Sequence, residues 1–251
     1  MLINMIRSGN VNIFSVIVYI ISSLMVIFLV MPLHEWAHGF VAYKLGDKTA
    51  KYQGRLTLNP LAHIDYMGAA MILLIGFGWA KPVPVDSRYF KKPKRDMALT
   101  ALAGPVSNLL AAIVAGLLMN LFVLIIVQIK PEYRTLLDHG SVLIFISYLI
   151  NYGNQFAFMG YVLLFFRYLM VINISLAVFN FIPIPPLDGS KILMAFLPNK
   201  WIYMIGQYQA YISMGFFILV MMGAVGNIIS PVQEALSYCI GWLTALPFGL
   251  A

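Results

Sequence analysis

Met31-Pro32-Leu33-His34-Glu35-Trp36-Ala37-His38-Gly39-Phe40 places two of the chain's four histidines and one of its three glutamates inside a long apolar run. His34 and His38 are four residues apart, so on a helix they share one face, one above the other. Two imidazoles held that way can share a zinc ion. Glu35, beside the first, can take a proton from a water on the metal. Ionisable side chains are costly within a membrane span and mark function there.

Upstream, Val11 to Val30 is about the length of a bilayer span at 1.5 Å per residue. It has no small-residue cleavage site and runs directly into the histidines, so it reads as a retained first span and not as a signal peptide. Composition agrees: 61% of residues are hydrophobic and 10% charged, with a mean hydropathy of +0.87. Soluble domains carry about one quarter charged residues, so this is a membrane protein. One cysteine, Cys239, excludes an internal disulfide framework and a cysteine-built metal site. The net charge of +7 fits positive-inside loops, not nucleic-acid binding. The 251 residues read as a single integral membrane domain, 1–251, with a core of about 11–200 and a C-terminal span and tail over 201–251.

After a short leader with Arg7, the first helix is expected to run from about Val11 to Leu45, kinked at Pro32. Arg55-Leu56-Thr57-Leu58 alternates and predicts a strand or small β-hairpin near the site, ended by Asn59-Pro60. Met67 to Ala80 is apolar but too short to cross and holds Gly68, Gly76 and Gly78, which predicts a re-entrant segment. Residues 81–96 form a basic loop whose Lys91-Lys92-Pro93-Lys94-Arg95 run suits anionic headgroups. Further spans are expected over Met97–Ile129, Phe156–Ile182 and Trp201–Ser230, with a shorter apolar stretch at 139–155 and an apolar tail at 231–251. His139 reads as a solvated loop residue. The fold class is all-α polytopic membrane protein, with about four to six transmembrane helices. The loops at 44–55 and 81–95 hold four and six Lys/Arg, against one before the first span. The positive-inside rule places both loops, and the cytoplasmic end of the first helix with its histidines, on the same side.

A catalytic zinc usually has three protein ligands and an open position. Asp47, Asp65, Asp86, Asp96, Glu132 and Asp138 fall in polar loops, and Glu234 in the tail. Asp188 alone follows an apolar run at matching depth. Pro183, Pro185, Pro186 and Gly189 around it forbid a regular helix, and irregular backbone at membrane depth belongs where it lines a cavity. Asp188 also reads as an N-cap for a helix over 189–197.

His34-Glu35-Trp36-Ala37-His38, paired with Asn180-Phe-Ile-Pro-Ile-Pro-Pro-Leu-Asp188-Gly189, resembles the site-2 protease family of intramembrane zinc metalloproteases. The segments Gly54–Asp65, Gly78–Pro84 and Ala103-Gly-Pro-Val-Ser-Asn108 resemble its short prokaryotic members, which lack PDZ or CBS modules. The resemblance runs from about residue 30 to 195, with Ser190 where many members have a second glycine. It implies that His34, His38 and Asp188 bind Zn2+, that Glu35 is the general base, and that Asn180 helps hold the substrate or oxyanion. It implies an integral protein of a prokaryotic plasma membrane, with its active site toward the cytoplasm, cleaving transmembrane protein or peptide substrates within the lipid bilayer. No sequence feature sets an oligomeric state. Asn180 reads equally well as a partner for exposed backbone. His63 could approach the zinc from its loop or serve as a local hydrogen bonder, and Asn108 could reach the site or join helices. Polar groups in spans also mark metal transporters, but no repeated half is visible. A catalytically inactive scaffold is the third reading, and an intact Glu35 speaks against it.

Overall fold

The computed structural model describes residues 13–75, 78–138 and 142–250. Arg7 and His139 lie outside them. The main helices are α1 (Ile13–Leu45), α2 (Tyr66–Ile75), α3 (Pro93–Ile129), α4 (Val142–Tyr152), α5 (Ala157–Phe181), α6 (Asp188–Met194), α7 (Asn199–Met221) and α8 (Ala224–Ala245), with shorter helical turns, among them Thr49–Tyr52 and Arg134–Asp138, in the connections. Four of them, α1, α3, α5 and α7, are long and apolar enough to cross a membrane.

The expected break at Pro32 takes a specific form. Pro32 cannot donate to the carbonyl four residues back, and the helix widens into a π-helical turn over Val26–Val30. The Met31 N–H there reaches the Val26 carbonyl, five residues back. The His-Glu-Trp-Ala-His stretch follows in regular helix, and Gly46, at φ 116°, ends it in the left-handed region.

α3 and α5 pack on one another along their length and form the centre. Met119, Val123, Ile126 and Val127 of α3 meet Phe145 and Leu149 of α4 and Leu163 of α5. Ala112 and Ala115 admit Met170 and Ile174 of α5 and Ile240 of α8. Tyr19, Val26 and Val30 fix α1 against Ile172. At 37 residues, α3 is about 55 Å long against a hydrocarbon layer of about 30 Å, so its charged first turns project beyond it. There the Lys92 N–H and the Arg95 guanidinium donate to Asp96, and the Lys94 ammonium donates to the Leu197 carbonyl.

Three expectations are corrected. No strand is present among the described residues. The Arg55 and Leu56 N–H groups both turn back to the Ala50 carbonyl, at 2.8 and 3.2 Å, so the short alternation never faces a partner strand. The segment expected to re-enter the membrane over 67–80 gives a ten-residue helix, α2, and from residue 78 irregular chain, and the re-entrant reading finds no support in the described residues. The expected span to Ser230 ends at Met221, where Gly223 at φ 78° turns the chain. The expected tail is α8, which packs on α3 and α5. Asn120 of α3 donates to the Thr244 hydroxyl of α8 at 2.9 Å, beside Gly116.

The chain between α5 and α6 sets where Asp188 stands. Gly189 lies so close to the end of α5 that a Cβ on it would meet the Phe181 and Ile182 carbonyl oxygens at 2.3 and 2.5 Å. Both are backbone atoms and cannot swing away. Gly189→Ala is therefore expected to destabilise the fold by about 1–3 kcal/mol, measured as a lowered thermal midpoint in detergent. An unchanged midpoint would show that α6 is free to shift.

Candidate metal centre

One helical step of 100° separates two faces of α1. His34 and His38 occupy one, Glu35 and Gly39 the next. The first face looks toward α6 and α3, and the second toward residues 79–85. His34, Glu35, His38 and Asp188 are all buried.

His34 Nε2, His38 Nε2 and Asp188 Oδ2 form a near-equilateral triangle. The two nitrogens are 3.0 Å apart, and the carboxylate oxygen is 3.3 Å from His34 and 3.1 Å from His38. Tetrahedral zinc with bonds of about 2.0–2.2 Å holds its ligand atoms about 3.3 Å from one another. The triangle therefore has the size of one face of a zinc tetrahedron. His38 Nδ1 lies 2.7 Å from the Thr100 carbonyl, a bond that only a protonated Nδ1 can donate. In the neutral ring this leaves Nε2 with a bare lone pair, which is the form a metal needs. These donors fit zinc, and among the described residues they are the group of acids, histidines and cysteines able to hold a metal.

Asp188 enters this triangle from the first turn of α6. Leu187 holds the N-cap position, and no side chain caps the helix. The carboxylate is instead divided between the histidines at Oδ2 and the Lys191 ammonium at Oδ1, 3.3 Å away. The Ser190 hydroxyl is satisfied by the Leu187 carbonyl at 2.7 Å. Asp47 and Asp96, expected in polar loops, are also buried, but their oxygens are taken, those of Asp47 by the Thr49 and Asp86 N–H groups and those of Asp96 by the Lys92 N–H and the Arg95 guanidinium.

The centre opens into a cavity of about 750 Å³ walled by α1, α3, α5, α7 and residues 78–85. Glu35 lines it, and its Oε2 accepts the Val83 N–H at 2.7 Å. Asn180 and Asn108 line it too. The Asn180 amide donates to the Leu176 carbonyl at 2.9 Å within its own helix. Asn108 is buried, with an Oδ1 that no donor among the described residues reaches. His63 stands outside the triangle and donates through Nε2 to the Thr57 carbonyl at 2.8 Å.

Sequence reasoning missed three contributors. The Thr100 carbonyl and the Val83 N–H are backbone groups, invisible to residue type. Gly104 stood in a patch read as helix packing. A Cβ at Gly104 would lie 2.4 Å from His38 Nε2 and 2.5 Å from His34 Nε2, in the space into which both lone pairs point. Gly104→Ala is expected to cut zinc well below one ion per chain with helical content intact, as read by elemental analysis and circular dichroism. Full zinc occupancy in that variant would show that the two rings point elsewhere.

Comparison with known proteins agrees with this geometry. The model of Peptidase family M50 matches residues 21–222. Over 205 residues the chain is 37% identical to "Putative zinc metalloprotease YwhC" of Bacillus subtilis (strain 168), covering 82% of this chain and 81% of the relative. It is 28% identical over 165 residues to "Putative zinc metalloprotease Rip2" of Mycolicibacterium smegmatis (strain ATCC 700084 / mc(2)155), covering 62% of this chain and 50% of the relative. No solved structure matches. With four spans, a three-ligand centre fitted to zinc and the family model matched over most of its length, the chain belongs to peptidase family M50, the site-2 protease family.

Proposed function

We propose that this membrane metalloprotease is an intramembrane zinc endopeptidase, a single domain that hydrolyses peptide bonds in or near the transmembrane segments of membrane-anchored substrates. The observation that carries the reading is the position of the triangle: buried among the spans, its three residues line a largely apolar cavity that Glu35 lines too. A cavity walled by spans favours a helical or partly unwound apolar peptide over a soluble chain. The arginine and lysine balance of the loops supports a cytoplasmic-side active site in a prokaryotic plasma membrane.

His34, His38 and Asp188 would hold the zinc. What the ion supplies is Lewis acidity, which brings water's pKa toward about 7 and polarises a carbonyl. His38 presents Nε2 because Thr100 fixes the ring, and Asp188 contributes the negative charge. Glu35 is the general base: its carboxylate takes the proton from the attacking water and passes it to the leaving amine. The Val83 N–H on Oε2 orients that carboxylate. Asn180, on the cavity wall, is a side-chain donor for a substrate carbonyl once it gives up its bond to Leu176.

Purified protein in detergent, given a quenched fluorescent peptide with one apolar span of about 20 residues, tests this. Glu35→Gln is expected to keep its zinc and lose cleavage by about 10²–10⁴-fold. Chelation should abolish cleavage in the unsubstituted protein, and added zinc should restore it. Cleavage that persists in Glu35→Gln, or in the chelated protein, would overturn the reading.

A further inference from the structure

Residues 55–63 and 79–86 contain no strand, yet they are held together by hydrogen bonds that converge on Glu35. Val83 sits between Pro82 and Pro84, so its N–H is the one backbone donor across those three residues. That donor goes to Glu35 Oε2 at 2.7 Å. Arg55 Nη2 donates to the two carbonyls just before it, Lys81 at 2.9 Å and Pro82 at 3.2 Å. The Lys81 N–H donates to the His63 carbonyl at 2.8 Å, and the His63 ring donates to the Thr57 carbonyl at 2.8 Å. The Arg55 N–H is itself tied to the Ala50 carbonyl at 2.8 Å. Farther along, the Asp86 N–H donates to the buried Asp47 carboxylate at 2.7 Å.

The brace also has a packed seat. Gly39 lies one turn beyond Glu35 on the same face of α1. A Cβ there would be 3.2 Å from both the Leu56 and Val83 side chains, so the absence of a side chain lets the two segments settle against the helix next to the base.

We infer that Arg55 and His63 are positioning residues for Glu35, acting through the Val83 amide. Neither touches the metal ligands. Arg55 fixes the carbonyls of residues 81 and 82, His63 fixes the loop whose carbonyl holds Lys81, and together they set where the Val83 N–H points. A carboxylate that must both accept and return a proton gains from a fixed orientation, since about 1 Å of displacement can cost about a hundred-fold in rate. The inference rests on the protease reading above for the role of Glu35, whereas the brace itself can be measured without it.

The test is amide hydrogen exchange by mass spectrometry on the full-length protein in detergent, with zinc content and cleavage of the same fluorescent peptide measured in parallel. Between Lys81 and Val85 the chain has a single exchangeable amide, that of Val83, so its exchange is countable as one deuterium. Arg55→Ala and His63→Ala should each speed that exchange by about ten-fold or more and lower kcat by about ten- to a hundred-fold. KM and zinc should stay unchanged. Arg55→Lys and His63→Gln, which keep a donor of similar reach, should recover most of both losses. Glu35→Ala should release the same amide. A role confined to folding would lower zinc and raise KM together, without rescue by the donor-preserving variants, and would overturn the inference. Unchanged Val83 exchange in Arg55→Ala and His63→Ala, or faster exchange with kcat intact, would overturn it equally. Failure of the protease reading shows differently, as no zinc-dependent cleavage by the unsubstituted chain.

Discussion

Three electron-rich atoms held 3.0–3.3 Å apart in a buried site repel one another unless a cation lies between them. That constraint organises the molecule. Two of the atoms come from successive turns of α1, and the third comes from α6, far along the chain. Bringing them together requires α3 to run close beside α1, which Gly104 permits by presenting no side chain to the rings. It also requires α6 to sit on the end of α5, which Gly189 permits in the same way. Thr100 then fixes one ring through a backbone carbonyl. The site is a junction of four helices, and the glycines are where the junction closes.

Glu35, the proposed general base, is held from another direction. Being next to His34 in sequence puts Glu35 a 100° step around the helix, away from the third ligand and toward residues 79–85. On the proposed roles, the same helix separates metal binding from proton handling: one face meets α3 and α6, the other an irregular segment with its own hydrogen bonds. Substitutions on the two faces should therefore have separable consequences, metal content on one side and turnover on the other.

Side-chain chemistry is what the sequence made legible. A four-residue spacing of histidines in an apolar run declares a helical face, and a carboxylate after prolines at matching depth stands out against a small acidic inventory. Asp47 lies in a loop as expected and Asp96 in the first turn of α3, both buried, yet they do not compete for metal because nearby N–H groups already occupy their oxygens. The strand at Arg55–Leu58 failed because four alternating residues without a partner cannot hold extended chain against the pull of the Ala50 carbonyl. The boundary at Ser230 failed because the apolar run hides the turn at Gly223: the helix that starts at Ala224 runs through Pro231 and Glu234 and finds its partner in Asn120. What stayed hidden altogether was carried by backbone atoms: the Thr100 carbonyl, the Val83 N–H and the carbonyls under Arg55. Residue type says little about those, and only the prolines flanking Val83 hint that its single donor has an assignment.

X-ray absorption at the zinc edge of the purified, metal-loaded protein tests the central claim most directly. The account predicts one zinc per chain, bound through two imidazole nitrogens and carboxylate or water oxygen at about 2.0–2.2 Å, with no sulfur in the first sphere. Asp188→Ala should remove one oxygen ligand or the metal altogether. A zinc with one imidazole or none, or one whose spectrum is indifferent to Asp188, would contradict it.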